Sequence, residues 1–325
     1  RAGRVWTGVD RVELAYMTEL VARNEPVWGL TRTPLGYVLL DHAGLLEFHK
    51  RLTGAAQSSS PDLLSRLLRG MPDAARCALT DARKLAVARS LPRGLARMLH
   101  RHLPAGTAYL NTGHSNLTQR VLGAVRAIPD AQISILIHDV IPLEYPQYQR
   151  AGTVDIFERK MQRVGLHADL IIYNSKDTQQ RTEQVLAKWG AVPRGIVSHL
   201  GIMPIAPDAI DLPAVATVET PYFITVGTIE PRKNHALLLD VWENLGPDAP
   251  MLLICGGRGW NNDAVFARLD ALGKNARVRE LSGLSDGALS ALIQGAQALL
   301  FPSHAEGFGL PAVEALQLGT PVLCS

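Results

Sequence analysis

Two stretches in the C-terminal third hold the side chains best suited to chemistry. In Phe301-Pro302-Ser303-His304-Ala305-Glu306-Gly307-Phe308-Gly309-Leu310-Pro311-Ala312-Val313-Glu314, two carboxylates stand with seven residues between them around a glycine-bearing loop. Gly307 and Gly309 let backbone approach a ligand closely. A helix opening near Leu310–Pro311 offers free N–H groups and a positive dipole end, a setting suited to a diphosphate. Glu306 and Glu314 can accept directional hydrogen bonds from hydroxyls on either side of it. Either glutamate alone reads as a dipole complement or a solvated loop residue; the pair, the loop and the preceding strand together read as a site. The second stretch is Val226-Gly227-Thr228-Ile229-Glu230-Pro231-Arg232-Lys233-Asn234. Adjacent cations after a glycine turn can neutralise a diphosphate, Arg232 as a planar fork and Lys233 as a point charge. Away from a strand end, the same pair would be ordinary surface charge.

The elements that must position these residues are legible as short apolar runs bounded by turn formers. Tyr37–Leu40, Ala108–Leu110, Ile133–Ile137, Leu170–Tyr173, Tyr222–Val226, Met251–Ile254 and Ala298–Phe301 read as buried strands. Helix-length segments separate most of them, which predicts βαβ units and a mostly parallel sheet. Ser60-Pro61-Asp62 reads as an N-cap with proline at the first helical position. Ser285-Asp286 opens another helix, and His235–Leu245 carries one apolar face. Four prolines in Pro204–Pro221 mark a linker. The fold class is therefore α/β, with an expected division into residues 1–205, a linker at 206–220, and residues 221–325. In open α/β sheets ligands bind beyond the carboxyl ends of strands, so motifs that follow strands matter most.

With these motifs in place, the chain resembles the GT-B glycosyltransferases of family 4, also called group 1. GTIEPRKN resembles the family's loop ending in an Arg/Lys pair, and EGFGLPAVEALQLGTPV resembles its E-x7-E signature with the following helix and strand. The resemblance is continuous from about Tyr222 to Ser325. It implies two Rossmann-like domains facing across a cleft, with the donor in the C-terminal one. It further implies a nucleotide-diphosphate sugar as donor substrate, no cofactor, no metal, and retention of anomeric configuration. Arg232 and Lys233 would contact the donor diphosphate, Glu306 the donor sugar, and Glu314 the ribose hydroxyls. Backbone at Gly227, Gly307, Phe308, Gly309 and Leu310 would complete the pocket. Thr7-Gly8-Val9-Asp10 looks like the family's first glycine loop, leading into a helix at Glu13–Val21, with Gly8 close to the donor phosphates. Ile137-His138-Asp139 resembles its His-Asp after a central strand. His138, Glu306, Arg232 and Lys233 are thus the catalytic candidates; His138, Asp139, His114 and Asn116 are the acceptor-side candidates. The glycine-rich Cys255–Trp260 stretch reads either as pocket lining or as a plain turn.

Composition bounds the remaining classes. At roughly 100–200 residues per domain, 325 residues suggest two domains. An apolar content of 47% against 19% charged is wrong for a disordered chain. No apolar run reaches the roughly 18 residues of a membrane span, and Cys77, Cys255 and Cys324 are too scattered for a disulfide framework or zinc site. A reducing cytoplasm, at the inner face of a membrane, is the expected compartment. The chain opens at Arg1 and ends at Ser325 in a strand-like run, so a C-terminally incomplete fragment is expected. The absence of an Asp-x-Asp pair agrees with metal independence: cations and a helix N-terminus would replace the ion. Arg66–Arg101 is basic with interleaved leucines, a pattern that fits an anionic membrane surface or a plain exposed face; the former would suit a glycan or lipid-linked acceptor. Nucleic acid is not an expected partner, since base-stacking aromatics are few. A nucleotide-sugar epimerase on the same fold, or a non-catalytic sugar-nucleotide-binding protein, are the alternatives.

Overall fold

The structure is a computed structural model that describes residues 6–68, 70–202, 205–210, 212, 221–273 and 276–325. By internal contacts the chain divides into two units, Arg1–His138 with Arg159–Ser198, and Asp139–Glu158 with His199–Ser325. The contacts thus group residues 139–158 and 199–202 with the C-terminal residues. Much of the linker expected at 206–220, residues 211 and 213–220, lies outside the described residues.

The first unit opens with α1 (Gly8–Ala22), followed by β1 (Gly29–Thr33), β2 (Gly36–Leu40), α2 (His42–Leu52), α3 (Leu63–Arg66), α4 (Asp73–Lys84), β3 (Ala88–Ser90) and α5 (Leu95–His102). Then come β4 (Ala108–Asn111), α6 (Gln119–Arg126) and β5 (Gln132–Ile137). Helix α7 (Ile141–Glu144) belongs to the second unit and α8 (Thr153–His167) is divided between the two after Glu158; the first unit then resumes with β6 (Leu170–Tyr173), α9 (Lys176–Ala187) and β7 (Gly195–Val197). Strands β4-β5-β6-β7 form a parallel sheet in chain order, while β1-β2-β3 form a separate antiparallel one. The parallel expectation therefore fails for the first three strands: only Pro34 and Leu35 separate β1 from β2, too few for a crossover. Ile133, Ile135, Leu136 and Ile137 of β5 are fully buried, each contributing about 1.5–3 kcal/mol.

Two helix starts differ from expectation. Helix α1 begins at Gly8 rather than Glu13, because Thr7 and Asp10 form a capping box. Gly8 is thus a first-turn helical residue and not part of a loop. The cap of α3 is Asp62, which accepts from the Ser65 N–H, rather than Ser60 ahead of Pro61. The basic stretch Arg66–Arg101 is distributed over α3, α4, β3 and α5, and Arg83 within it is buried in an ion pair with Asp62, which removes it from any exposed basic face.

The second unit contains a five-stranded parallel sheet in the order β10-β9-β8-β11-β12, with β8 (Tyr222–Val226), β9 (Met251–Cys255), β10 (Val278–Leu281), β11 (Ala298–Phe301) and β12 (Val322–Cys324). Its helices are α10 (His235–Leu245), α11 (Asp263–Asp270), α12 (Asp286–Gly295) and α13 (Leu310–Gln317). Period-two alternation splits the strand side chains between two cores. Ile224, Leu253, Leu299 and Phe301 pack with Leu292, Ile293 and Ala315 of α12 and α13. Leu252, Ile254 and Leu300 pack with Leu238, Trp242, Val265 and Leu269 of α10 and α11. The chain runs outward from β8 to β10 and then returns to the other side of β8 at β11. That reversal is the topological switch point, where such sheets bind ligands.

Where β8 and β9 end, backbone meets backbone. A Cβ built on Gly256 would lie 1.9 Å from the Gly227 carbonyl oxygen, whereas one on Gly257 would meet nothing within 4 Å. Gly256→Ala should therefore destabilise the protein by about 2–3 kcal/mol, the cost of overpacking a site that cannot relax, and Gly257→Ala should leave the melting temperature nearly unchanged. Paired thermal melts test this, and equal effects would refute the close-approach account.

Candidate donor-binding site

The two chemistry-bearing loops leave adjacent strands of the second unit. After β8, Gly227 takes φ 138°, a conformation that favours glycine. Pro231 then starts a single 3-10 turn over Pro231–Lys233, and left-handed Asn234 redirects the chain into α10. After β11, the loop reaches Gly309 at φ 85°, which starts α13 with no side-chain cap. Pro311 carries no N–H and the Ala312 N–H donates to the Gly309 carbonyl at 3.0 Å, so what the start of α13 offers an anion is chiefly the positive end of its dipole.

Between these loops the side chains form one ionic cluster. Glu306 accepts from Lys233 Nζ at 2.5 Å and from Arg232 at 2.9 Å. Arg232 also pairs with Glu230 at 2.8 Å and donates to the Ala305 carbonyl at 2.9 Å. In return the His304 N–H donates to the Arg232 carbonyl at 2.8 Å. Lys233 is 8% exposed and its ammonium lies 4.8 Å from the Phe301 ring centroid, a cation–π contact. For Glu306, burial pushes the carboxyl up, but Arg232 and Lys233 together outweigh it and hold it below the usual range. For Glu230 burial wins over the same two cations, and its carboxyl is raised. Burial lowers Lys233 against the opposing pull of Glu306. Two acids and two bases therefore converge, with Glu306 as the carboxylate shared by both cations.

Glu314 is buried in α13. Gly307, Phe308 and Leu310 are half-buried around the turn into that helix, and Gly227 packs against the Lys233 stem. Asp139 belongs to the second unit, where it accepts from the Ile141 N–H and adds to the field that raises Arg232. The other acceptor-side candidates lie in the first unit. His138 follows β5, is 7% exposed, and its Nε2 donates to the Thr112 carbonyl at 2.6 Å. Its own carbonyl accepts from Asn174. His114 Nε2 donates to the Leu136 carbonyl, and its ring lies 5.4 Å from that of His138. Burial, then the neighbouring His138, pulls His114 down to about 3. His114 and Asn116 both hold left-handed backbone. Gly8 sits at the start of α1, also in the first unit.

Several contributors have no signal in the sequence. Glu230 stands within the motif, but its burial and its grip on Arg232 come from the turn. His304 stacks on Tyr148 at 5.6 Å, and Tyr148 stacks on Tyr145. Trp260 donates to the Tyr148 carbonyl and lies under the Arg150 guanidinium. Arg258, inside the glycine-rich stretch, pairs with Glu280 and Asp270. That stretch therefore anchors structure through Gly256, Arg258 and Trp260.

Glu306→Gln should destabilise the unliganded protein by about 2–4 kcal/mol near neutral pH, because it leaves two largely buried cations under-compensated. Since the folded carboxyl is depressed, its stabilisation exists above the unfolded value and disappears as pH falls through the folded one. The gap between wild type and variant should thus be full at pH 7 and close below pH about 4. Chemical denaturation across pH measures it; a gap independent of pH would contradict the pairing.

Comparison with known proteins finds chains similar to this one. A serotype-specific mannosyltransferase WbdA from Escherichia coli is 33% identical over 204 residues, 58% of this chain and 25% of that protein. A D-inositol 3-phosphate glycosyltransferase from Mycobacterium bovis (strain BCG / Pasteur 1173P2) is 32% identical over 178 residues, 50% of this chain and 35% of that protein. The chain thus spans about a quarter of the length of the WbdA protein it matches. The crystal structure of Anabaena Alr3699/HepE in complex with UDP-glucose superposes with a TM-score of 0.52 at 17% identity, covering 78% of this chain and 70% of that one. The fold is that of the GT-B glycosyltransferases. The family model of the glycosyl transferases group 1 matches residues 211–325, the span that holds the β8–β12 sheet and both loops of the ionic cluster.

Proposed function

We propose that the chain transfers a glycosyl group from a nucleoside-diphosphate sugar to a glycan or lipid-linked acceptor. The observation that carries this reading is the convergence of Arg232, Lys233 and Glu306 at the switch point between β8 and β11. An entering diphosphate competes with Glu306 for both cations. The cations pass to phosphate oxygens, and the carboxylate they release can accept a hydrogen bond from a sugar hydroxyl. Glu314 serves the ribose hydroxyls. During transfer the bond from the anomeric carbon to phosphate breaks and a bond to the acceptor oxygen forms, with loss of the acceptor proton. Negative charge grows on the leaving diphosphate, and Arg232, Lys233 and the start of α13 stabilise it.

The reaction in this reading retains anomeric configuration and uses no metal, since the cations supply the charge a divalent ion would. His138 acts at the sugar or acceptor, with Asp139, His114 and Asn116 on the acceptor side and Gly8 near the donor phosphates. The names of the mannosyltransferase relatives support a role in building a cell-surface polysaccharide, with the enzyme at the cytoplasmic side. No described helix is long and apolar enough to cross a membrane.

Calorimetric titration with a panel of nucleotide sugars tests the site. One or more should bind, and Lys233→Ala and Glu314→Ala should each weaken that binding at least about a hundredfold, the range expected when a partner of a desolvated charge is removed. Normal binding by both variants would show that the donor lies elsewhere.

A further inference from the structure

In the first unit, two histidines tie the ends of β4 and β5 to each other. The ladder between these strands ends at Asn111 and Ile135. Beyond it, two side chains cross in opposite directions. His138, after β5, reaches the Thr112 carbonyl after β4 at 2.6 Å. His114, after β4, reaches the Leu136 carbonyl of β5 at 3.0 Å. A carbonyl oxygen only accepts, so Nε2 carries the proton in both rings. Proton uptake by His138 in this arrangement takes place at Nδ1. Asn174, 1% exposed at the end of β6, donates to the His138 carbonyl at 2.8 Å. That bond fixes the His138 backbone, whereas the orientation of its ring follows the position of the Thr112 carbonyl.

The loop that carries Thr112 and His114 is held at successive residues. A Cβ on Gly113 would run into the Glu13 carboxylate of α1, and Asn111 donates to the Ser115 carbonyl. His114 and Asn116 sit in left-handed backbone, which non-glycine residues keep where their surroundings impose it. Asn111 ties the loop to its own strand, and Glu13 packs it on α1. Of these three contacts, that of His114 is the one made to β5, the strand that leads to His138. The two imidazole rings lie 5.4 Å apart. Burial first, then His138, pulls His114 down to about 3; the Leu136 carbonyl opposes this and Lys160 of α8 adds to it. His114 is therefore neutral where histidines ordinarily titrate, and it holds its neighbour without placing a second charge beside it.

We propose that His114 is a positioning residue for His138. Its bond to the Leu136 carbonyl holds the Thr112 carbonyl against His138 Nε2, and so presents Nδ1 as the nitrogen that meets a hydroxyl of the sugar or acceptor. The inference rests on the transferase reading for that hydroxyl; the positioning itself is a property of the unliganded first unit.

NMR of the whole chain with labelled histidine, recorded without ligand, tests it, and His138→Gln assigns the His138 signals. In the unaltered protein the His138 ring should carry its proton on Nε2, in slow exchange with solvent. His114→Asn keeps a residue suited to left-handed backbone but is too short to reach Leu136. It should speed exchange of the His138 Nε2 proton at least about tenfold, the scale of one lost hydrogen bond, and give a mixture of the two neutral ring forms. His114→Gln sets an amide N–H where the ring Nε2 stood, and should restore slow exchange. Unchanged amide exchange at Ile171–Tyr173 in all three proteins reports that the sheet is intact; if His114→Asn loosens it, His114→Gln decides. The proposal is overturned if His114→Asn leaves the His138 ring as it was, as a purely structural role would. It is also overturned if His114→Gln loses the slow proton along with His114→Asn. Since no ligand is used, the outcome is separate from the nucleotide-sugar titration that tests the transferase reading.

Discussion

Glu306 shared between Arg232 and Lys233 is the interaction around which the second unit is arranged. Neither cation could sit where it does without a carboxylate facing it, because burying an uncompensated charge costs several kcal/mol. The carboxylate comes from the loop after β11 and the cations from the loop after β8. They can meet only because those two strands are hydrogen-bonded neighbours. Sheet order, and not sequence proximity, thus decides the electrostatics: 73 residues separate Lys233 from Glu306.

The backbone devices at the two loops serve that same meeting. Gly227 and Gly309 adopt positive φ, as does Asn234, so each chain turns sharply on leaving its strand and enters its helix with little intervening length. Glu230 holds Arg232 from one side while the Ala305 carbonyl accepts from it on the other. The guanidinium is thereby fixed in orientation, while the Lys233 ammonium rests on the Phe301 ring. A site built this way presents its cations in a defined plane.

The second unit is more legible from sequence than the first. Its strands alternate with helices, its loops carry glycine where backbone must turn, and its ionisable residues stand immediately beyond strand ends. Such features are local, and local patterns survive in sequence. What stays hidden depends on distant residues. Burial of Glu230, stacking of His304 on Tyr148, and the anchoring of Arg258 by Glu280 all require partners brought in by the fold. In the first unit, β1 (Gly-Leu-Thr-Arg-Thr) is mostly polar, with no apolar run to betray it. Helix α1 starts ahead of the expected Glu13 because the Thr7–Asp10 capping box overrides the poor helix propensity of the glycine and valine in its first turn. His138 stands out by its position after β5; that its Nε2 is committed to the Thr112 carbonyl cannot be read from any motif.

The contact between Gly256 and the Gly227 carbonyl bears on how such a protein can diversify. With no space between the ends of β8 and β9, and with Arg258 tied to Glu280 and Asp270, the cation-bearing side of the site is mechanically stiff. The loop from Pro302 to Phe308 is held on Arg232 through its backbone at His304 and Ala305 and on Arg232, Lys233 and Tyr148 through the Glu306 and His304 side chains, and of these contacts only the side-chain ones can be exchanged by substitution. Drift in ligand preference across descendants of this chain is thus channelled into that loop, while the opposite wall stays frozen as a fixed electrostatic reference.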